Sequence, residues 1–252
     1  MRTSIVIAAM AAAFWTGEAG AQTAEVHVLA SNGIKAVMDE LRPQAERAIG
    51  HPLAIEVDSS SVLKQKIDGG EAFDVAIVTS EVLDELSKAG KIVSGSSAGI
   101  ARSGIGVGIR AGGPKPDIRT AAALKQTLLK AKSITFAQDG ASRIYLEKMF
   151  DRLGIGSDLK PKIIREQGSA RATARVADGS AELVLTLVSE ILPAPGVELL
   201  GPLPAEVQNY VSMSAGVGAK ARNADAAKAL VKFLAGPSVA PILKAKGMEA
   251  VR

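Results

Sequence analysis

No cysteine occurs anywhere in the 252 residues. That absence excludes disulfide scaffolds, thiolate zinc sites, iron–sulfur clusters and cysteine nucleophiles. Aromatic residues are nearly as scarce, with five phenylalanines, two tyrosines and one tryptophan. So few stacking faces argue against a single-strand nucleic-acid binder. Only two histidines are present, His27 and His51. Neither belongs to an H-E-x-x-H motif or to a cluster at metal-ligand spacing, so no metal and no cofactor is expected. Charge of one sign is lacking too: 30 basic residues face 26 acidic ones, interspersed, for a net +4. Nucleic-acid binding would want clustered basic residues instead. What remains is an ordinary soluble composition, 47% hydrophobic and 22% charged, long enough for one large or two medium domains.

The first 21 residues read as a secretory leader. Arg2 supplies the positive start, Ile5 to Trp15 the apolar run, and Ala19-Gly20-Ala21 the small-residue cleavage pattern. The run falls short of the roughly 20 residues that span a bilayer. Cleavage would remove the only tryptophan and leave a mature chain of unchanged net charge with six aromatics. Without cysteine that chain cannot be lipidated at its new N-terminus, so it is expected to be free in the periplasm and monomeric.

Strand-like and helix-like stretches alternate through the rest. Glu25–Ala30, Leu53–Val57 and Val75–Val78 are short and rich in β-branched residues, which predicts strands. Over Gly33–Ile49, residues Ile34, Val37, Met38, Leu41, Ala45 and Ala48 recur at three- and four-residue spacing, which predicts a helix bent at Pro43. Helices are expected over Ser61–Asp68 and Glu81–Ala89 as well. In the second half, strands are expected at Ser133–Phe136, Lys162–Ile164 and Ala181–Thr186. The matching helices are Ser142–Leu153, Ala170–Ala177, Ala224–Ala235 and Val239–Lys246, with Ser238 placed to cap the last. Alternation of this kind implies an α/β fold with parallel strand pairs covered by helices. Ser103–Ile109 and Val211–Ala219 carry glycines on one face. Two readings stay open for them: tight packing against a neighbour, or a pair of strands that cross between two lobes and flex.

The catalytic motifs fail. Gly95-Ser96-Ser97-Ala98-Gly99 matches the nucleophile-elbow pattern of a secreted serine hydrolase. Its flanks lack the required strand and helix, and both histidines precede Ser97. Gly104-Ile105-Gly106-Val107-Gly108 opens no helix and is not a dinucleotide fingerprint. The missing parts predict a binding protein rather than an enzyme.

The strand–helix junctions are better furnished. They read Ala30-Ser31-Asn32-Gly33, Asp58-Ser59-Ser60-Ser61, Asp139-Gly140-Ala141-Ser142-Arg143 and Gln167-Gly168-Ser169-Ala170-Arg171. Each supplies a helix cap, worth about 1 kcal/mol. Four together, with N–H groups aimed outward, also suit an anion. Arg143 and Arg171 sit in first helical turns, where the dipole disfavours a cation. Each either swings into solvent or faces a bound anion.

The sequence resembles the periplasmic substrate-binding proteins of ABC importers, in the molybdate-binding-protein-like branch. The carrying stretches are Val28-Leu29-Ala30-Ser31-Asn32, Asp58 through Ile67, Gly69 through Ile77, Gly140-Ala141-Ser142-Arg143-Ile144-Tyr145, and Phe233-Leu234-Ala235-Gly236-Pro237 with Gly247-Met248. The resemblance implies a type II periplasmic-binding-protein-like fold, two α/β lobes joined by two crossing hinge strands. Lobe I would comprise residues 22–103 with 213–252, and lobe II 104–212. By position, Ser31 with Asn32 and Ser60 would hold an oxyanion from lobe I, and Ser142 and Ser169 from lobe II. The family's tyrosine donor is Leu187 here, and Arg143 replaces a small residue. The ligand is therefore expected to be a molybdate-like oxyanion or a small organic carboxylate, passed to a membrane permease. A ligand-sensing module for a membrane receptor is the other reading of the same site, and a hydrolase at Ser97 the remaining one.

Overall fold

The computed structural model describes residues 24–251, so the expected leader lies outside the described residues. The first half builds β1 (Val26–Ser31), α1 (Lys35–Ile49), β2 (Leu53–Asp58), α2 (Ser60–Asp68), β3 (Val75–Thr79) and α3 (Ser80–Lys88). A long strand, β4 (Ala98–Arg110), leads to α4 (Ala121–Lys130), β5 (Ile134–Ala137), α5 (Arg143–Arg152), α6 (Gly156–Leu159) and β6 (Ile163–Glu166). Then follow α7 (Ser169–Ala177), β7 (Leu183–Leu187), α8 (Val188–Ile191), β8 (Val197–Pro202) and β9 (Tyr210–Val217). The chain closes with α9 (Ala224–Leu234), α10 (Ala240–Ala245) and β10 (Glu249–Ala250).

The strands pair in the order β2-β1-β3-β9-β4-β7-β5-β6. β1 runs parallel to β2 and β3, and β5 parallel to β6 and β7, as βαβ units require. The two parallel groups are joined through β4 and β9. β4 pairs with β9 from Ala98 to Gly104, then with β7 from Ile105 to Ile109. These are the two strands that cross between the α/β lobes, as the expected fold class requires. All the parallel strands end, at Ser31, Asp58 and Thr79 on one side and Ala137, Glu166 and Leu187 on the other, where the next helix begins. In α/β sheets that edge is where ligands bind.

The apolar periodicity is what covers this sheet. Val37, Met38, Leu41 and Ala45 form the buried face of α1, which runs through Pro43 and ends at Gly50 in a left-handed conformation. Phe136 and Phe150 of α5 pack with their rings tilted by 49° and centroids 6.3 Å apart, deep in the core. Five elements, α4, α6, α8, β8 and β10, have no counterpart in the periodicity reading. α4 is a run of strong helix formers started by Thr120, whose hydroxyl accepts from Ala123 N at 3.1 Å. Ser238 does not cap the last helix. It lies in a short turn, Pro237–Val239, because Pro237 already sets a helical φ there, and α10 starts from Val239.

The glycine stripe of β4 is explained by close packing. A Cβ on Gly108 would sit 2.7 Å from a Val184 methyl and 3.0 Å from one of Val197. Both neighbours are β-branched and stiff. Gly108→Ala is therefore expected to lower stability by about 1–3 kcal/mol through overpacking, read from the urea midpoint at unchanged slope.

Candidate functional site

The first lobe presents a chain of hydroxyls. β1 ends on buried Ser31, and the register of β1 with β2 brings Asp58 opposite it. Asp58 accepts from Ser59 N at 2.8 Å, and Ser59 caps α2 by accepting from Val62 N. Ser60, the first residue of α2, accepts from Thr79 N at 3.0 Å and donates to Ser31 Oγ at 3.0 Å. Ser31 thus receives a hydrogen bond, and its own proton is left to point elsewhere. Each bond in such a chain strengthens the next. Asn32 and Gly33 continue from Ser31 into a single helical turn that leads into α1. The first-turn N–H groups of α2 have no intrahelical acceptor.

The second lobe is organised by two carboxylates. Asp139 Oδ1 accepts from Gly168 N at 2.9 Å and so ties the loop after β5 to the loop after β6. Gly168 takes a φ of 76°, which a side chain would resist, and releases Ser169 into the first turn of α7. Ser169 Oγ donates to Glu190 Oε1 at 3.0 Å, while Glu190 Oε2 accepts from Thr186 Oγ1 and from Leu187 N. Burial pushes the Glu190 carboxyl above the usual carboxylate range. The hydrogen bonds from Thr186, Ser169 and Leu187 pull the other way, and nearby Asp139 adds a smaller push upward.

The lobes meet where Ser61 Oγ donates to the Asp139 carbonyl at 3.2 Å. Between them lies a cavity of about 20 Å³ lined by residues that include Ser31, Asn32, Ser60, Ser169 and Glu190. That is room for about one water molecule. Asn32, Ser169 and Glu190 also line a far larger groove, about 760 Å³, between α1 and the α7–α8 side. The two spaces are thus neighbours that share these three residues.

Four of the residues singled out from sequence, Ser31, Asn32, Ser60 and Ser169, are brought together at this inner cavity. Ser142 is buried at the start of α5, but Gly140 and Ala141, not Ser142, line the cavity. Arg143 turns along its own helix: Nη1 donates to Glu147 at 3.1 Å, and Glu147 also holds Arg165. Arg171 is exposed. Thr79 enters through its backbone N–H, which no sequence pattern announces. Leu187 and Met213 contribute aliphatic surface, and no aromatic side chain lines either space among the described residues. Ser97 lies exposed in a loop that leads into a strand, so the nucleophile elbow is not formed. Elsewhere, His27, Glu56 and Glu71 bring ligand-type atoms within 4.8 Å of one another. Lys66 already pairs with Glu56, and His27 Nδ1 lies 2.6 Å from the Ala72 carbonyl.

Comparison with known proteins agrees with the geometry. The family model for bacterial extracellular solute-binding proteins matches residues 26–249. An aconitate isomerase from a Pseudomonas species is 31% identical over 230 residues, covering 89% of this chain and 87% of its own. The molybdate-binding protein ModA of Azotobacter vinelandii is 26% identical over 232 residues and is covered to 90%, as is this chain. A solved periplasmic molybdate-binding protein of that organism aligns with a TM-score of 0.76 at 20% identity, over 90% of this chain and 100% of its own.

Proposed function

We propose that this chain, which belongs to the bacterial extracellular solute-binding protein family in its molybdate-binding-like branch, captures a small organic anion between its lobes. The observation that carries this is the Thr79–Ser60–Ser31 donor chain, which ends at a cavity also bordered by Ser169 and the start of α7. In this reading Ser31 is the hydroxyl donor to the ligand, Ser60 orients it, and Asn32 and Ser169 border the bound anion. Arg143 would join them only if its pair with Glu147 opened, and Ser142 only by turning from its buried place toward the cavity. The lobe limits at 103/104 and 212/213 belong to the same proposal, supported by the change of β4's partner after Gly104. So does delivery to a membrane permease from the periplasm, supported by the family and by the leader pattern. The lack of aromatic lining favours a polar anion over a sugar.

A thermal-shift screen against molybdate, tungstate, sulfate, phosphate and small carboxylates tests the reading. A ligand at 100 times its Kd stabilises by about 2.7 kcal/mol, and a flat response to all of them would reject an anion site.

A second reading is favoured by a specific observation. The 31% identical relative is named as an aconitate isomerase, and Glu190 lines the cleft with a carboxyl held above its ordinary range. Moving a double bond in an unsaturated polycarboxylate requires a proton to leave one carbon and return to another. A raised carboxyl is suited to carry it. Incubation with cis-aconitate, followed by separation of the isomers, decides: steady formation of the trans isomer that Glu190→Gln abolishes makes the protein an enzyme.

A further inference from the structure

We infer that the ligand is an elongated anion with at least two carboxylates, one placing an oxygen in the inner cavity and another at Lys35 in the α1–α7 groove. The inference rests on the anion-binding reading above and names the class of ligand. Three observations carry it. The first is size. The inner cavity holds about 20 Å³, whereas the neighbouring space that shares Asn32, Ser169 and Glu190 with it holds about 760 Å³. A compact tetrahedral oxyanion would leave the larger space unused, while a carbon chain anchored inside runs into it.

The second is the character of the wall. Ala36, Ala170, Ala174 and Ala177 line the groove together with Pro193 and Pro195, so helix and loop present small apolar side chains that leave room for a carbon skeleton. Ser189 lies in the same lining, and its buried hydroxyl has no hydrogen-bond partner. Rotated toward the groove, it would be free to pair with a polar atom on the ligand.

The third is charge. Lys35 is the cation among the lining residues of the two spaces. Its ammonium has three N–H donors and pairs with Asp39 at 2.5 Å, which leaves donors for a carboxylate arriving through the groove. The three acids of the groove each have partners, Glu190 holding Ser169, Thr186 and the Leu187 N–H. Asp39 is on Lys35, and Asp178 accepts from Ser180 N at 2.8 Å.

Pairs of ligands equal in length and different in charge test this: glutarate against pentanoate, with acetate as the short reference and molybdate as the compact one. Binding is measured by calorimetry on the full mature chain. Glutarate is expected to bind at least 10-fold more tightly than pentanoate. Lys35→Met should erase that advantage while leaving pentanoate and acetate unchanged. Ala174→Phe, a substitution at an exposed position, should weaken both five-carbon ligands and spare acetate. If Lys35→Met leaves the glutarate advantage intact, or molybdate binds more tightly than every carboxylate, the groove has no part in recognition and this inference falls while the inner anion site stands. If none of the four binds, both fall.

Discussion

Ser31→Ala is expected to weaken the preferred anion about 10- to 100-fold, the cost of one hydrogen bond to a charged acceptor at roughly 1.5–3 kcal/mol. The reason lies in the direction of the hydroxyl chain. Thr79 N–H donates to Ser60, and Ser60 donates to Ser31, so only the Ser31 proton is left for the cavity. Removing Ser31 deletes the terminal donor and also strands the Ser60 proton. Ser60→Ala has a different signature. It leaves Ser31 able to donate but no longer oriented, and it deprives Thr79 N of its acceptor. Affinity should therefore drop less than for Ser31→Ala, while the unfolding midpoint of the free protein drops more. Calorimetric titration beside urea unfolding separates the two. Equal losses of affinity in both variants would mean that Ser60 contacts the ligand itself and that the relay does not exist.

Much of this arrangement was legible in the sequence, for a physical reason. Strand ends and helix starts announce themselves by local chemistry, so Ser31, Ser60 and Ser169 could be picked out as capping-type residues after β-branched runs. The two crossing strands were visible as glycine-bearing strands, although their glycines turn out to accommodate Val184, Val197 and other close neighbours. What escaped are contacts between residues far apart in the chain. Asp139 meets Gly168 across 29 residues, and Ser169 meets Glu190 across 21. Asp139 stands in a junction already singled out, but nothing local marks Gly168 as its partner, or marks Glu190 as part of the cleft. Arg143 shows the opposite case. Glu147 stands four residues on, at the spacing of a helical ion pair, and that pairing is the one the structure adopts. The anion reading of Arg143 weighed the helix dipole and overlooked this neighbour. Lys35 carried the same signal, an ion pair with Asp39 four residues on, and its place in the proposed groove comes from the α7 wall facing it.

Glu190→Gln is expected to tighten binding of the anion roughly 10-fold at a pH above the raised folded value of that carboxyl, the worth of one hydrogen bond to a charged group. With Glu190 ionised, the Ser169 proton is spent on Oε1 and cannot reach a ligand. The glutamine oxygen can keep the bonds from Thr186 and Leu187, while its NH2 donates to Ser169 Oγ and frees the Ser169 proton for the cleft. The same substitution removes a negative charge from the cavity wall. Stability should respond with a defined sign. The Glu190 carboxyl has an ordinary value of 4.5 when unfolded and a raised one when folded, chiefly through burial. The folded chain therefore holds its proton longer, so this group's stabilisation is complete below about pH 4.5 and is lost as the pH climbs through the folded value. The melting temperature of the wild type should fall relative to Glu190→Gln across that climb, and the difference between the two should level off below pH 4.5. A constant difference at every pH would show that Glu190 titrates alike in both states. If the variant instead binds more weakly above that folded value, the carboxylate is holding Ser169 in its working position. If it binds more tightly and yet no longer interconverts aconitate isomers that the wild type does, one residue serves both to gate the anion and to move its proton. That outcome would join the binding and isomerase readings in a single site.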